Sequence, residues 1–117
     1  MRQCLALDLH DDPQLIAEYE AQHRAVWPEV RAHLREHGVI ALDIYRLGTR
    51  LVMILETNDA AFDAERMAQA ERENPRIREW EALMWQFQKP TPWTPAGTKW
   101  TPMPQIFSFG ETVSTEE

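Results

Sequence analysis

Hydrophobic positions change their period repeatedly along this chain, and each change marks an element. Over residues 3–9, Leu5, Leu7 and Leu9 alternate with Cys4, Ala6 and Asp8, the period of a half-buried strand. From Pro13 onward the period lengthens. Leu15, Ile16, Tyr19, His23, Val26, Trp27, Val30, Leu34 and His37 step by three or four and draw one stripe down a helix. Asp11 or Asp12 stands ready to cap its start, Pro13 suits its first turn, and Gly38 ends it. Pro28 interrupts the stripe, because proline removes one helical hydrogen bond and clashes with the preceding turn. A break is expected near residues 25–27. The stripe keeps its phase, so both segments should pack on one surface.

Two runs rich in aliphatic and β-branched residues follow, 40–47 and 50–57, and the Gly48-Thr49 pair between them predicts an antiparallel hairpin. Asn58 or Asp59 is expected to cap a weakly amphipathic helix reaching about residue 73, with Phe62 and Met67 on its apolar side. Asn74-Pro75 restarts the helical pattern, and Ile77, Trp80, Leu83, Met84 and Phe87 give it a stronger apolar face. Over 89–104 five prolines accompany Trp93 and Trp100, a composition that excludes helix and predicts an extended arm packed on something. Residues 103–109 resume a strand pattern, and 110–117 read as a flexible acidic tail. The order β-α-β-β-α(α)-β is that of an α+β ferredoxin-like sandwich, a four-stranded antiparallel sheet with helices on one face, in a single domain over 1–109. The sheet's other face then needs a cover, and a second copy of the chain is the expected one, as a homodimer.

Composition narrows the function. Twelve basic against 19 acidic residues leave a formal net charge of −7 on 117 residues, the wrong sign for a nucleic-acid partner. No run approaches the ~18 apolar residues of a membrane span, and no signal peptide is visible at the N-terminus. The single cysteine, Cys4, rules out an internal disulfide and fits a cytoplasmic protein. Five tryptophans concentrated in the second half are more than a small core requires.

Tyr19 and His23 lie one turn apart on the buried stripe, with Trp27 a turn beyond. If the helix breaks before Pro28, His23 sits in its last turn, where free carbonyls favour the imidazolium. A histidine beside a phenol can act as a general acid–base pair. On pattern alone, an ordinary half-buried histidine with a backbone partner is the stronger reading. His10 reads as a loop residue, His33 as a surface residue and His37 as a helix end. His33 and His37 have i, i+4 spacing, but Glu36 is their only nearby carboxylate, so neither a metal nor any other cofactor is expected. Asp8, Asp43 and Glu56 lie within strands and need a partner, with Arg46 and Arg50 available. Trp80 and Glu81 pair an indole with a carboxylate, a combination that suits a sugar: the ring stacks on C–H groups while the oxygens accept hydroxyl hydrogens.

The segment Tyr19-x-x-x-His23-x-x-x-Trp27-Pro28-Glu29-Val30 resembles the signature of the L-rhamnose mutarotase family. The similarity continues through His37-Gly38, Ile44-Tyr45 and Trp80 to Met84, and spans nearly all of 1–109. It implies a small, cofactor-free, cytoplasmic enzyme of the dimeric α+β barrel type that interconverts the α and β anomers of a deoxy sugar. It also implies that His23 donates the proton and that Tyr19 contacts the sugar. Two contact positions depart from the rhamnose pattern, Leu42 in place of a tyrosine and Glu81 in place of a second tryptophan. These changes and the arm ending at Lys99-Trp100-Thr101-Pro102-Met103 resemble the branch of the family associated with L-fucose. The expectation is therefore an aldose 1-epimerase of a monosaccharide, L-fucose ahead of L-rhamnose, with Tyr19, Trp80 and Glu81 binding it. A cofactor-free monooxygenase and a non-catalytic binding module are the competing readings.

Overall fold

The structure, a computed structural model, describes residues 1–110; the acidic tail expected from 110 lies, beyond Gly110, outside the described residues. Strand β1 (Arg2–Leu9) leads into helix α1 (Pro13–His23), which starts where expected because the Asp12 carboxylate accepts hydrogen bonds from the Gln14 and Leu15 amides. The helix stops at His23, and Pro28 opens a second helix, α2 (Pro28–Glu36), as the position of that proline predicts. Strands β2 (Val39–Leu47) and β3 (Arg50–Thr57) form the hairpin, with Gly48 at φ +59° in its two-residue turn. Helices α3 (Ala64–Glu73) and α4 (Pro75–Trp85) follow, capped by Asp63 and Asn74.

The sheet order is β2-β3-β1-β4, all antiparallel, and the architecture is the ferredoxin-like α+β sandwich. The fourth position is not one strand, however. Gln88–Lys89 (β4) pairs with Asp8 and Leu9, while Thr101–Pro102 (β5) pairs with Leu5 and Ala6 farther along the same edge of β1. The strand expected over 103–109 does not form. Pro102 and Pro104 have no amide hydrogen to give a ladder, so pairing ends with a single bond from the Met103 amide to the Cys4 carbonyl, 2.8 Å. A second expectation also fails at its boundary. Asn58 caps a tight turn, accepting from the Ala60 amide, and the helix waits for the extended Asp63 before it begins at Ala64.

Alternation sends Leu5, Leu7 and Leu9 to the helix side of the sheet, where Leu9 and Leu51 join Tyr19, Val30, Ile77, Trp80, Met84 and Phe87 in one core. On the opposite face the buried Asp8 pairs with Arg50, whose guanidinium lies 5.4 Å from the Trp93 ring. The proline-rich arm returns to its own sheet: Thr91, Thr94 and Thr101 share a chain of hydroxyl contacts at 2.7 and 2.8 Å. That chain brings Lys99 and Trp100 back over the helices.

Candidate active site

Between the sheet and the helices lies a cavity of about 280 Å³. Its wall is largely aliphatic, from Leu5, Leu42, Met53 and Leu55 on the strands to Val30, Leu34, Met67 and Ile77 on the helices. Tyr19, His23, Trp80 and Glu81 all line it, so the four expected site residues, drawn from two helices far apart in sequence, are brought together. Tyr19 and His23 also border a wider groove of about 650 Å³ along α1 and β2, which holds Asp43, Arg24 and Arg46. Arg46 is tied to Glu20 at 2.5 Å and to the Gly48 carbonyl at 2.9 Å.

His23 reaches the site from the last turn of α1. Its Nδ1 lies 2.8 Å from the Tyr19 carbonyl oxygen, and a carbonyl only accepts, so Nδ1 carries the hydrogen. Nε2 is left as the nitrogen with chemistry to do. The ring is wedged between Tyr19, 4.4 Å between centroids, and Trp80, 5.8 Å and edge-on. Trp80 also meets Trp27 edge-on at 5.1 Å and is only 6% exposed. Most of its indole therefore belongs to the core, and little of a face is open for stacking.

Tyr19 is buried, and its phenol oxygen accepts a hydrogen bond from Gln88 Nε2 at 3.1 Å. Burial pushes the phenol up to about 12, against a lowering by the Gln88 bond and with a further rise from the Glu81 charge. Near neutral pH it is a hydroxyl donor, not a base. Glu81 receives Lys99 Nζ at 2.6 Å, and the same ammonium lies 5.0 Å above the Trp85 ring. Trp85 is thus a half-exposed platform for the arm.

Several lining residues were not marked by sequence reasoning as part of a site. Lys99 and Trp100 bring the arm to the cavity of their own chain. Gln88 looks like the polar end of an apolar run until β4 turns it inward. His33 was expected on the surface and is 6% exposed, facing Glu71 across 3.4 Å. Its place between Val30 and His37 on the α2 stripe was the signal for burial; Glu71 offered only its i, i+4 relation to Met67. Of the strand carboxylates, Asp8 pairs with Arg50, while Asp43 and Glu56 are exposed. Among the described residues no cluster of three or more potential ligands could hold a metal ion, and no helix is long and apolar enough to cross a membrane.

The family model for L-rhamnose mutarotase matches residues 2–109. The chain belongs to the L-rhamnose mutarotase family. Within reach of this family, a protein of Xanthomonas campestris pv. campestris named L-fucose mutarotase is 46% identical over 99% of this chain and 94% of that protein. The solved L-rhamnose mutarotase of Formosa agariphila superposes with a TM-score of 0.68 at 17% identity, covering 94% of this chain and 99% of the other. Tetracenomycin F2 cyclase of Streptomyces glaucescens, a type-II polyketide cyclase, gives 0.60 at 20% identity, with 96% and 99% covered. At such identities the two structures speak for the fold alone. The mutarotase family is thus reached by two routes, the family model and a relative close in sequence, and the fold agrees with both.

Proposed function

We propose that this chain is an aldose 1-epimerase that interconverts the α and β anomers of a 6-deoxy-L-hexose, L-fucose ahead of L-rhamnose. The observation that carries the reading is the fixed tautomer of His23 at the wall of a sugar-sized cavity. With Nδ1–H committed to the Tyr19 carbonyl, Nε2 is the nitrogen that takes up and releases the second proton, and the imidazolium delivers that proton from Nε2 to the ring oxygen as the bond from that oxygen to the anomeric carbon breaks. The anomeric hydroxyl gives up its own proton and becomes the aldehyde carbonyl. Rotation about the adjacent carbon–carbon bond and reclosure on the other face yield the second anomer, and His23 takes its proton back. Nothing is oxidised or reduced, so the scheme needs no redox cofactor.

Tyr19, held protonated, donates to a sugar oxygen; Gln88 occupies its lone pair and so directs the phenolic hydrogen away. Trp80 fixes the His23 ring and supplies apolar wall. The Lys99 ammonium engages one Glu81 oxygen, which suits that carboxylate to accepting a sugar hydroxyl. The acceptor of the anomeric proton is either Glu81 or water at the cavity mouth. The 46% identity to a protein named L-fucose mutarotase supports the choice of sugar. We place the protein in the cytoplasm, as a homodimer.

Saturation-transfer NMR on equilibrated L-fucose, L-rhamnose and a control hexose tests the reading. Anomer exchange should accelerate with L-fucose most; no acceleration with any sugar sinks it. His23→Ala should lower the exchange rate by at least ~100-fold while the fold persists. Glu81→Gln assigns the anomeric proton: a large loss gives it to Glu81, an unchanged rate to water.

A further inference from the structure

Ring opening as described leaves one polar pair of the cavity unused, a buried histidine and a partly exposed carboxylate. His33, on α2, and Glu71, on α3, both line the cavity, in a stretch of wall that is otherwise Val30, Leu34 and Met67. Withdrawing an imidazole from water into such surroundings is unfavourable unless a partner compensates, and the partly exposed Glu71 carboxylate is the partner at hand. Their mutual contact compensates only partly: Nε2 of His33 is 3.4 Å from Oε2 of Glu71, at the long end of hydrogen bonding, and among the described residues the second carboxylate oxygen accepts no hydrogen bond. The His33 ring is itself held against His37, 4.7 Å between centroids. Burial pushes the Glu71 carboxyl up, Glu81 adds to this, and His33 and Lys99 oppose it.

The position of the pair is informative. Tyr19 and His23 border the groove along α1 and β2, which Glu71 does not reach. Glu71 and Glu81 instead border a shallow cleft on the α3–α4 side, with Arg72 and Arg78, which His23 does not reach. One cavity therefore has two polar ends. A pyranose with its anomeric carbon at His23 turns the opposite edge of its ring toward the other end. The ring carbon opposite the anomeric one is C4, and the C4 hydroxyl is axial in L-fucose and equatorial in L-rhamnose.

We propose that Glu71, oriented by His33, accepts the hydrogen of the C4 hydroxyl and so selects among 6-deoxy-L-hexoses by their configuration at that carbon. The proposal deepens the mutarotase reading and rests on it. Glu71 is then a substrate-binding residue and His33 a positioning residue. Neither takes part in proton transfer at the anomeric centre, so their loss should appear in KM and leave kcat nearly alone.

The test uses anomer-exchange kinetics on the full chain with L-fucose, L-rhamnose and 4-deoxy-L-fucose, which lacks the hydroxyl in question. Sugar binding is followed in parallel through tryptophan fluorescence, since Trp80 and Trp100 line the cavity. Glu71→Gln should raise KM for L-fucose by about tenfold, with kcat within about threefold, and leave 4-deoxy-L-fucose unaffected. His33→Leu should move the fucose-to-rhamnose preference in the same direction by a smaller factor. A Glu71→Gln enzyme that is folded, active and unchanged in KM for L-fucose overturns the proposal. Equal KM increases for L-fucose and its 4-deoxy analogue also overturn it, because the lost contact would not be to that hydroxyl. If the unmodified protein accelerates no sugar's exchange, the mutarotase reading itself fails and takes this inference with it.

Discussion

The hydrogen bond from the His23 ring to the carbonyl one turn earlier decides which nitrogen faces the cavity, and a second bond decides what Tyr19 can do. Gln88 donates into the phenol oxygen, and burial keeps the phenol protonated up to about 12. The raised value has a consequence for stability. The folded protein holds this proton more tightly than the unfolded chain, whose phenol titrates near 10.0. Its contribution to stability is therefore complete below pH 10 and is lost as pH rises toward 12. Over that window Tyr19 should remove about 1.4 kcal/mol of stability per pH unit. Urea unfolding at steps from about pH 9 to about pH 11.5 reads this as a slope, and Tyr19→Phe should flatten it by that amount. An equal slope in the two proteins would mean that the phenol is hydrated in the native state.

At the scale of elements, the breaks are fixed by single residues. Gly38 ends α2 at φ +85°, where an added β-carbon would come within 3.0 Å of the Ala61 side chain and 3.1 Å of its backbone. Gly48, in the β2–β3 turn at φ +59°, has open space around it. Gly48→Ala should thus carry only the left-handed backbone penalty, about 1 kcal/mol, whereas Gly38→Ala adds a clash and should lose about 3 kcal/mol. Chemical denaturation of both variants checks the ranking; equal losses would mean that the loop after β3 gives way freely. The same local residues explain what the sequence made legible. Asp12, Pro28 and the Gly48-Thr49 turn leave the chain little choice, and the strands and helices around them fall where their periods place them. The start of α3 was ambiguous because Asn58, Asp59 and Asp63 are all competent caps, and only tertiary context chooses Asp63. The fourth strand was misplaced because alternation over 103–109 ignores the missing amide hydrogens of Pro102 and Pro104.

At the scale of the whole molecule, the site draws on α1, α2, α3, α4 and the arm, and this limits what a one-dimensional reading can find. His23 and Tyr19 were legible because they are neighbours on one helix; Glu71 meets His33 across 38 positions, and no local period records that contact. The chain also leaves much apolar surface uncovered. Ile106, Phe107 and Phe109 are 94%, 77% and 92% exposed, and Tyr45 of the outer sheet face is 63% exposed. Burying large apolar side chains is worth roughly 1.5–3 kcal/mol each, so three of them on one extended segment are a substantial force for association. If the proposed homodimer forms, the expectation is that this segment is part of its seam. Light scattering should accordingly find twice 13.7 kDa for the unmodified chain, and the double substitution Phe107→Ser and Phe109→Ser should shift the mass to 13.7 kDa at micromolar concentration. The cavity-lining Lys99 and Trp100 come from the same chain as His23, so the monomeric variant should lose stability before it loses sugar binding. A variant that stays dimeric would move the seam to the sheet face around Tyr45. A monomer that no longer binds sugar would mean that each cavity is completed by its neighbour.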